Sequence, residues 1–187
     1  MTPTNRLVPA YLQMLRGLAA WLAKARDQRG AAAADRMMAA RLAPDMFPLA
    51  AQVRFVCYQA REAMQRLRGE ALPPATVAIA EAARSGVGAL TVAEAEALIA
   101  ETVGVLEALP EDALDGHSDR AIALELPNGM IFDMSAEVYV RDWALAQNYF
   151  HLVTAYAILR KEGIALGKAD YVAHMFAHLR PGTAPGG

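Results

Sequence analysis

Gln147, Asn148 and His151 are the residues of this 187-residue chain whose types and spacing come nearest to a reactive set. On an α-helix, residues four apart stand one above the other, so Gln147 and His151 can address the same point in space. An imidazole binds metals and moves protons near neutral pH, and amides beside it can orient the ring or a ligand. Tyr149 and Tyr156 add hydroxyls that need partners wherever they are buried. Cys57 is the only cysteine, which excludes an intramolecular disulfide and a multi-cysteine zinc site. Flanked by Val56 and Tyr58, it reads as a small core hydrophobe. His174 and His178 have an HxxxH spacing that would put both rings on one side of an α-helix, with no acidic companions nearby. His117 stands in a polar stretch without partners. No GxSxG, Walker, dinucleotide or HExxH pattern is present, so those nucleophile, nucleotide and protease chemistries have no support.

The element that must carry the amide and histidine set is the run 135–163, expected to form one long helix. Val138, Leu145, Tyr149, Leu152, Tyr156 and Leu159 repeat at helical spacing and form its expected inward stripe, which leaves Gln147, Asn148 and His151 on a shoulder. Ser135 serves as N-cap, and Lys161 and Gly163 close the far end.

Upstream, a first helix is expected over about 8–26, with Val8, Leu12, Leu15, Leu18 and Leu22 inward and Trp21 at the edge. An alanine-rich segment after Gly30 can make a short helix ending before Pro44. A second long helix is expected from Asp45 or Met46 to Leu67, capped by Asp45, with Leu49, Val53, Val56, Ala60, Met64 and Leu67 at spacings of three and four. Residues 75–90 are ambiguous between a short helix and a turn. Thr91 with Glu94 forms a capping box for a third helix through Ala95, Leu98, Ile99, Thr102, Val105 and Leu106. Two short apolar runs flank Asn128-Gly129, the signature of a hairpin that must lean on the helices. Residues 168–179 can add a short terminal helix.

Apolar residues make up 55% of the chain and aromatics 7%, with alanine dominant, which favours close-packed helices. A net charge of -2 with interspersed signs gives no electrostatic footprint for nucleic acid or for an anionic membrane surface. The N-terminal sequence lacks a basic region followed by an apolar run, and a cytoplasmic protein is expected. The organisation expected is one helical-bundle domain over residues 1–179 and a disordered Pro/Gly-rich tail over 180–187. Four principal helices and an inserted hairpin make an up-and-down bundle, or a relative with a longer crossover.

Two segments, RLAPDMFPLAAQV (41–53) and NYFHLVTAYAILRKEGIALGKADY (148–171), resemble a bacterial family known as a domain of unknown function (DUF1993 type). That family is related to the DinB/YfiT-like four-helix bundles. The resemblance spans about Val8 to Tyr171 and implies an all-α, DinB/YfiT-like four-helix bundle with a small β-hairpin before the last long helix. Many members of the wider superfamily look like metal-dependent transferases or hydrolases, with one histidine on the second helix and two, one turn apart, on the last. Three imidazoles leave open positions on a divalent ion that acidifies a water or thiol. With Gly163 as the fixed point, the second histidine of the last helix matches His151, whereas the first falls on Gln147. The second helix has no histidine, and its polar candidates are Asp45 and Gln52. Asp45, Gln147 and His151 offer one imidazole and one carboxylate, a set that suits a weakly held hard ion better than zinc.

The resemblance and the residues together suggest a small-molecule pocket around Asp45, Gln52, Gln147, Asn148, Tyr149 and His151, with no cofactor. Partners expected are a small-molecule ligand and a second copy of the chain, a homodimer joined along alanine-faced helices. The alternative is a metal-dependent transferase or hydrolase in which His151, Asp45 and Gln147 hold a divalent metal.

Overall fold

Sixteen of the twenty residues of the segment Leu49–Arg68 are buried, and in the computed structural model this helix is the hub of the molecule. The structure describes residues 3–86, 90–114 and 120–183. Helices α1 (Pro3–Arg29) and α2 (Ala31–Met37) precede α3 (Leu49–Arg68), followed by α4 (Pro74–Ser85) and α5 (Val92–Glu107). Strands β1 (Ala121–Glu125) and β2 (Ile131–Ser135) lead into the last helical run. That run comprises α6 (Ala136–Val138), a π-helical segment (Tyr139–Ala144) and α7 (Leu145–Lys161). A single turn, α8 (Lys168–Tyr171), and a 3-10 segment (Ala173–His178) complete the chain. His117, residues 87–89 of the ambiguous stretch 75–90, and residues 184–187 of the expected tail lie outside the described residues.

Cross-helix contacts give the relative direction of each rod. Arg16 pairs with Glu107 and Arg26 with Glu96, so α1 and α5 are antiparallel. Gln52 meets His151 and Val56 meets Asn148, so α3 and α7 are antiparallel. Trp21 packs on Tyr156, and Arg29 reaches Glu162 and Gly163, which makes α1 and α7 parallel. It follows that α3 and α5 run parallel, the chain returning between them through α4. Of the two topologies open to the sequence, the structure has the one with a crossover.

The α3 start differs from expectation. Asp45 is exposed in a turn, and α3 begins at Leu49 after Pro48 with no side-chain cap. The reason is that carbonyls do a cap's work: Leu49 N–H donates to Ala40 O at 2.9 Å and Ala50 N–H to Met38 O at 2.9 Å. The loop 38–48 is thereby strapped to the helix it precedes. Lys161 holds its outer side, donating to Arg41 O at 2.7 Å and Leu42 O at 3.3 Å.

Elsewhere local chemistry behaves as its residue types dictate. Thr91 and Glu94 form the full capping box, and Asp35 accepts from Val92 N–H at 2.8 Å, a further tie for the same helix start. Residues 74–85 resolve as helix α4. In the hairpin, Ala121 pairs with Ser135 and Glu125 with Ile131 across a turn where Gly129 adopts φ 82°. The hairpin leans on the bundle through β1, whose Ile122 and Leu124 are buried. Trp21, expected at an edge, is fully buried: it stacks on Tyr171 at 5.8 Å and donates to Asp170 O at 3.1 Å, docking the C-terminal segment on α1. Val105, expected inward, is exposed. Residues 180–183 form a turn in which Thr183 bonds Arg180 O.

Candidate functional site

The long helix buries a different face from the stripe its periodicity suggests. Ala136, Tyr139, Val140, Ala144, Asn148, His151, Leu152, Ala155, Ile158 and Leu159 are buried, while Val138, Leu145, Tyr149 and Tyr156 are half-buried. Leu152 and Leu159 of that stripe are buried, but the face is rolled within α7 toward Asn148, His151, Ala155 and Ile158, which sets the polar shoulder in the seam with α3.

Within that seam the polar residues have defined partners. Asn148, 1% exposed, donates from Nδ2 to Val56 O at 3.0 Å, a bond between side chain and backbone that ties α7 to α3. His151, 9% exposed, places Nδ1 at 2.8 Å from Oε1 of the buried Gln52. Gln52 Nε2 donates to Phe47 O at 3.1 Å. A carbonyl only accepts, so the Gln52 amide must turn its nitrogen to Phe47 and its oxygen to the ring. His151 Nδ1 therefore carries the proton, and Nε2 carries a free lone pair.

The ring is further fixed by stacking on Phe55 (centroids 4.5 Å, planes at 20°) and by an edge contact with Phe150 (5.2 Å, 80°). Phe47 packs edge-on against Phe55 at 5.1 Å. With no cation-stabilising carboxylate beside it, burial pushes the His151 ring down from its usual value to about 4, and the imidazole is neutral at pH 7. Phe150, against the ring, and Phe47, against Phe55, are exposed at 57% and 40%, so apolar surface lies open beside a nearly buried, neutral and oriented imidazole.

Of the six residues expected to share a pocket, the structure joins Gln52 to His151 directly and sets Asn148 in the same seam. Asp45 is exposed in the strapped loop, two residues before Phe47. Gln147 and Tyr149 are half-buried, and among the described residues no hydrogen bond links Gln147 to His151. Phe47, Phe55 and Phe150, the walls of the site, escaped sequence reasoning. Phe150 next to His151 was a usable signal, but the relation of Phe55 to the ring depends on the rolled face. Cys57 is fully buried and its thiol is pushed up to about 12, so it is a core residue. His174 and His178 lie in a 3-10 segment, where residues three apart, rather than four, align.

A family model for a domain of unknown function, DUF1993, matches residues 5–172. The chain belongs to the DUF1993 family. Among solved structures, the DUF1993 protein is similar to a DinB family member protein from Shewanella denitrificans, with TM-score 0.73 and 27% sequence identity. The alignment covers 97% of this chain and 95% of that one. Among curated proteins, none matches the chain. The all-α bundle with its inserted hairpin is thus both the expected and the observed architecture of this DUF1993 protein. Among its described residues no helix is long and apolar enough to cross a membrane, and no three His, Cys, Asp or Glu side chains gather where one metal ion could be held.

Proposed function

We propose that this DUF1993 protein binds a small molecule on the aromatic face of α3 and α7, with His151 Nε2 as the hydrogen-bond acceptor. The observation that carries the reading is the Phe47–Gln52–His151 relay, which holds the imidazole in one tautomer while burial keeps it neutral. A ring prepared in this way recognises an N–H or O–H donor. The Phe150 and Phe47 side chains beside it favour a ligand whose donor is attached to a flat or apolar body.

The metal-dependent alternative is poorly supported by the donors present. Gln52 Oε1 is occupied by the His151 N–H, Asp45 is exposed, and His151 is the one imidazole of the seam. Such a set does not fit a tightly held zinc-like ion. Self-association is a second reading of the same surface, favoured by Phe47 and Phe150, both large, apolar and exposed. In that reading the homodimer covers this face.

The two readings separate in one experiment. Fragments that carry a donor on an aromatic ring are screened by thermal shift against the protein and Phe150→Ala, with mass measured by light scattering. Saturable stabilisation that weakens in the variant supports the ligand reading. A dimer that Phe150→Glu converts to monomer supports the second. A monomer stabilised by no fragment contradicts both.

A further inference from the structure

A cleft of about 750 Å³ lies between the end of α2, the loop 38–48 and Leu90 ahead of α5, and none of its lining residues belongs to the His151 site. Small-molecule sites have volumes of this order. The ties that start α3 and α5 also build the cleft. Ala50 N–H donates to Met38 O at 2.9 Å and Met38 N–H to Asp35 O at 3.1 Å, so α2, the loop and α3 hold one another. Asp35 Oδ1 accepts from Val92 N–H at 2.8 Å, which brings the α5 start to the same place. Met38, Pro48, Ala50 and Leu90 are buried and form an apolar floor, whereas Arg36 and Arg41 are exposed at the rim.

Charge decides what such a cleft accepts. Two arginines line it against one carboxylate, that of Asp35, which leaves one positive charge in surplus. That carboxylate is already engaged by the Val92 amide. Arg41 Nη1 donates to Met46 O, which holds the guanidinium to the loop, and Arg36 makes no ion pair among the described residues. An arginine fork has further N–H groups, and they match the edge of a carboxylate. A divalent cation would face two guanidiniums and an occupied carboxylate. A single surplus charge suits a monoanion better than a phosphate monoester, which is mostly dianionic at pH 7.

We infer that this cleft binds a small organic carboxylate, with Arg36 and Arg41 on its charged end and Met38, Ala50 and Leu90 against its apolar body. It is complementary to the His151 face, which offers an acceptor to a donor, and it does not depend on that reading.

The test uses the full chain, with naphthoate as the probe and its neutral N,N-dimethylamide as the control, both followed by amide NMR. The dimethylamide has no N–H, so it offers His151 nothing to accept. Naphthoate should shift the Met38, Ala50 and Leu90 signals saturably, and the dimethylamide should bind there at least about tenfold more weakly. Arg36→Gln with Arg41→Gln should weaken naphthoate by at least about tenfold, while His151→Gln leaves its binding unchanged. If the double variant disturbs the loop, Arg36→Gln alone decides, since Arg36 lies outside the loop, and it should weaken naphthoate several-fold. Equal binding of acid and amide, unchanged affinity in the arginine variants, lost affinity in His151→Gln, shifts confined to His151 and Phe150, or no saturable shift at millimolar naphthoate overturns the inference.

Discussion

Protonating His151 should cost the fold a measurable and predictable amount. Burial depresses the folded-state ring to about 4, against an ordinary value of 6.5. Above pH 6.5 the ring is neutral in folded and unfolded chains, and it makes no pH-dependent contribution. As pH falls through 6.5 the unfolded chain takes up a proton that the folded chain refuses, so stability is lost until the folded ring titrates near 4. Each decade of proton affinity is worth about 1.4 kcal/mol. The loss should therefore reach about 2 kcal/mol at pH 5 and about 3 kcal/mol near pH 4. Carboxylates also titrate at the acid end, so a difference measurement is needed. His151→Gln keeps an N–H donor for Gln52 and has no titratable ring. Urea unfolding of both proteins from pH 7.5 to 4 should show the native chain losing that much more stability than the variant. Parallel pH profiles, or an NMR titration of His151 centred near 6.5, would refute the reasoning.

Four further outcomes follow from single contacts. Gln52→Glu sets a carboxylate beside Nδ1, and the His151 NMR titration midpoint should move upward from about 4. Gly163→Ala combines φ 81° with a new Cβ 2.6 Å from Arg29 Nη2, which must abandon the carbonyls at the end of α7; chemical denaturation should show a loss of about 1–2 kcal/mol. Thr91→Ala removes the capping box of α5 and should cost about 1 kcal/mol by the same assay. Cys57, fully buried with its thiol raised to about 12, should resist a disulfide reagent in the native protein and react at once in urea; rapid native labelling would contradict its place in the core.

What the sequence made legible was local. The Thr91–Glu94 box, the Asn128-Gly129 turn and the apolar repeat of α3 each rest on neighbours within one or two turns, and each appears where those residues place it. Asp45 shows the limit. Its type and position favour a cap, but Ala40 and Met38 carbonyls reach the α3 start because the preceding loop folds back, a tertiary event. The long helix shows a second limit. An apolar stripe does not say which of its flanks meets a neighbour, and the packing of α7 on α3 takes Asn148 and His151 from the shoulder into the seam. His151 was thus recognisable as the residue to watch. Its partner Gln52 was visible only as one of two polar candidates near the start of the second helix, and Phe55 not at all.

The central claim is that His151 is a neutral imidazole with its proton on Nδ1 and its Nε2 lone pair offered to a ligand. Nitrogen-15 long-range correlation spectra of the histidine ring at pH 7 test this most directly. The expected spectrum has a protonated-type shift at Nδ1, an unprotonated-type shift at Nε2, and movement of the Nε2 signal when a stabilising fragment binds. A proton on Nε2, a charged ring at pH 7, or an Nε2 signal indifferent to a saturating fragment would contradict it.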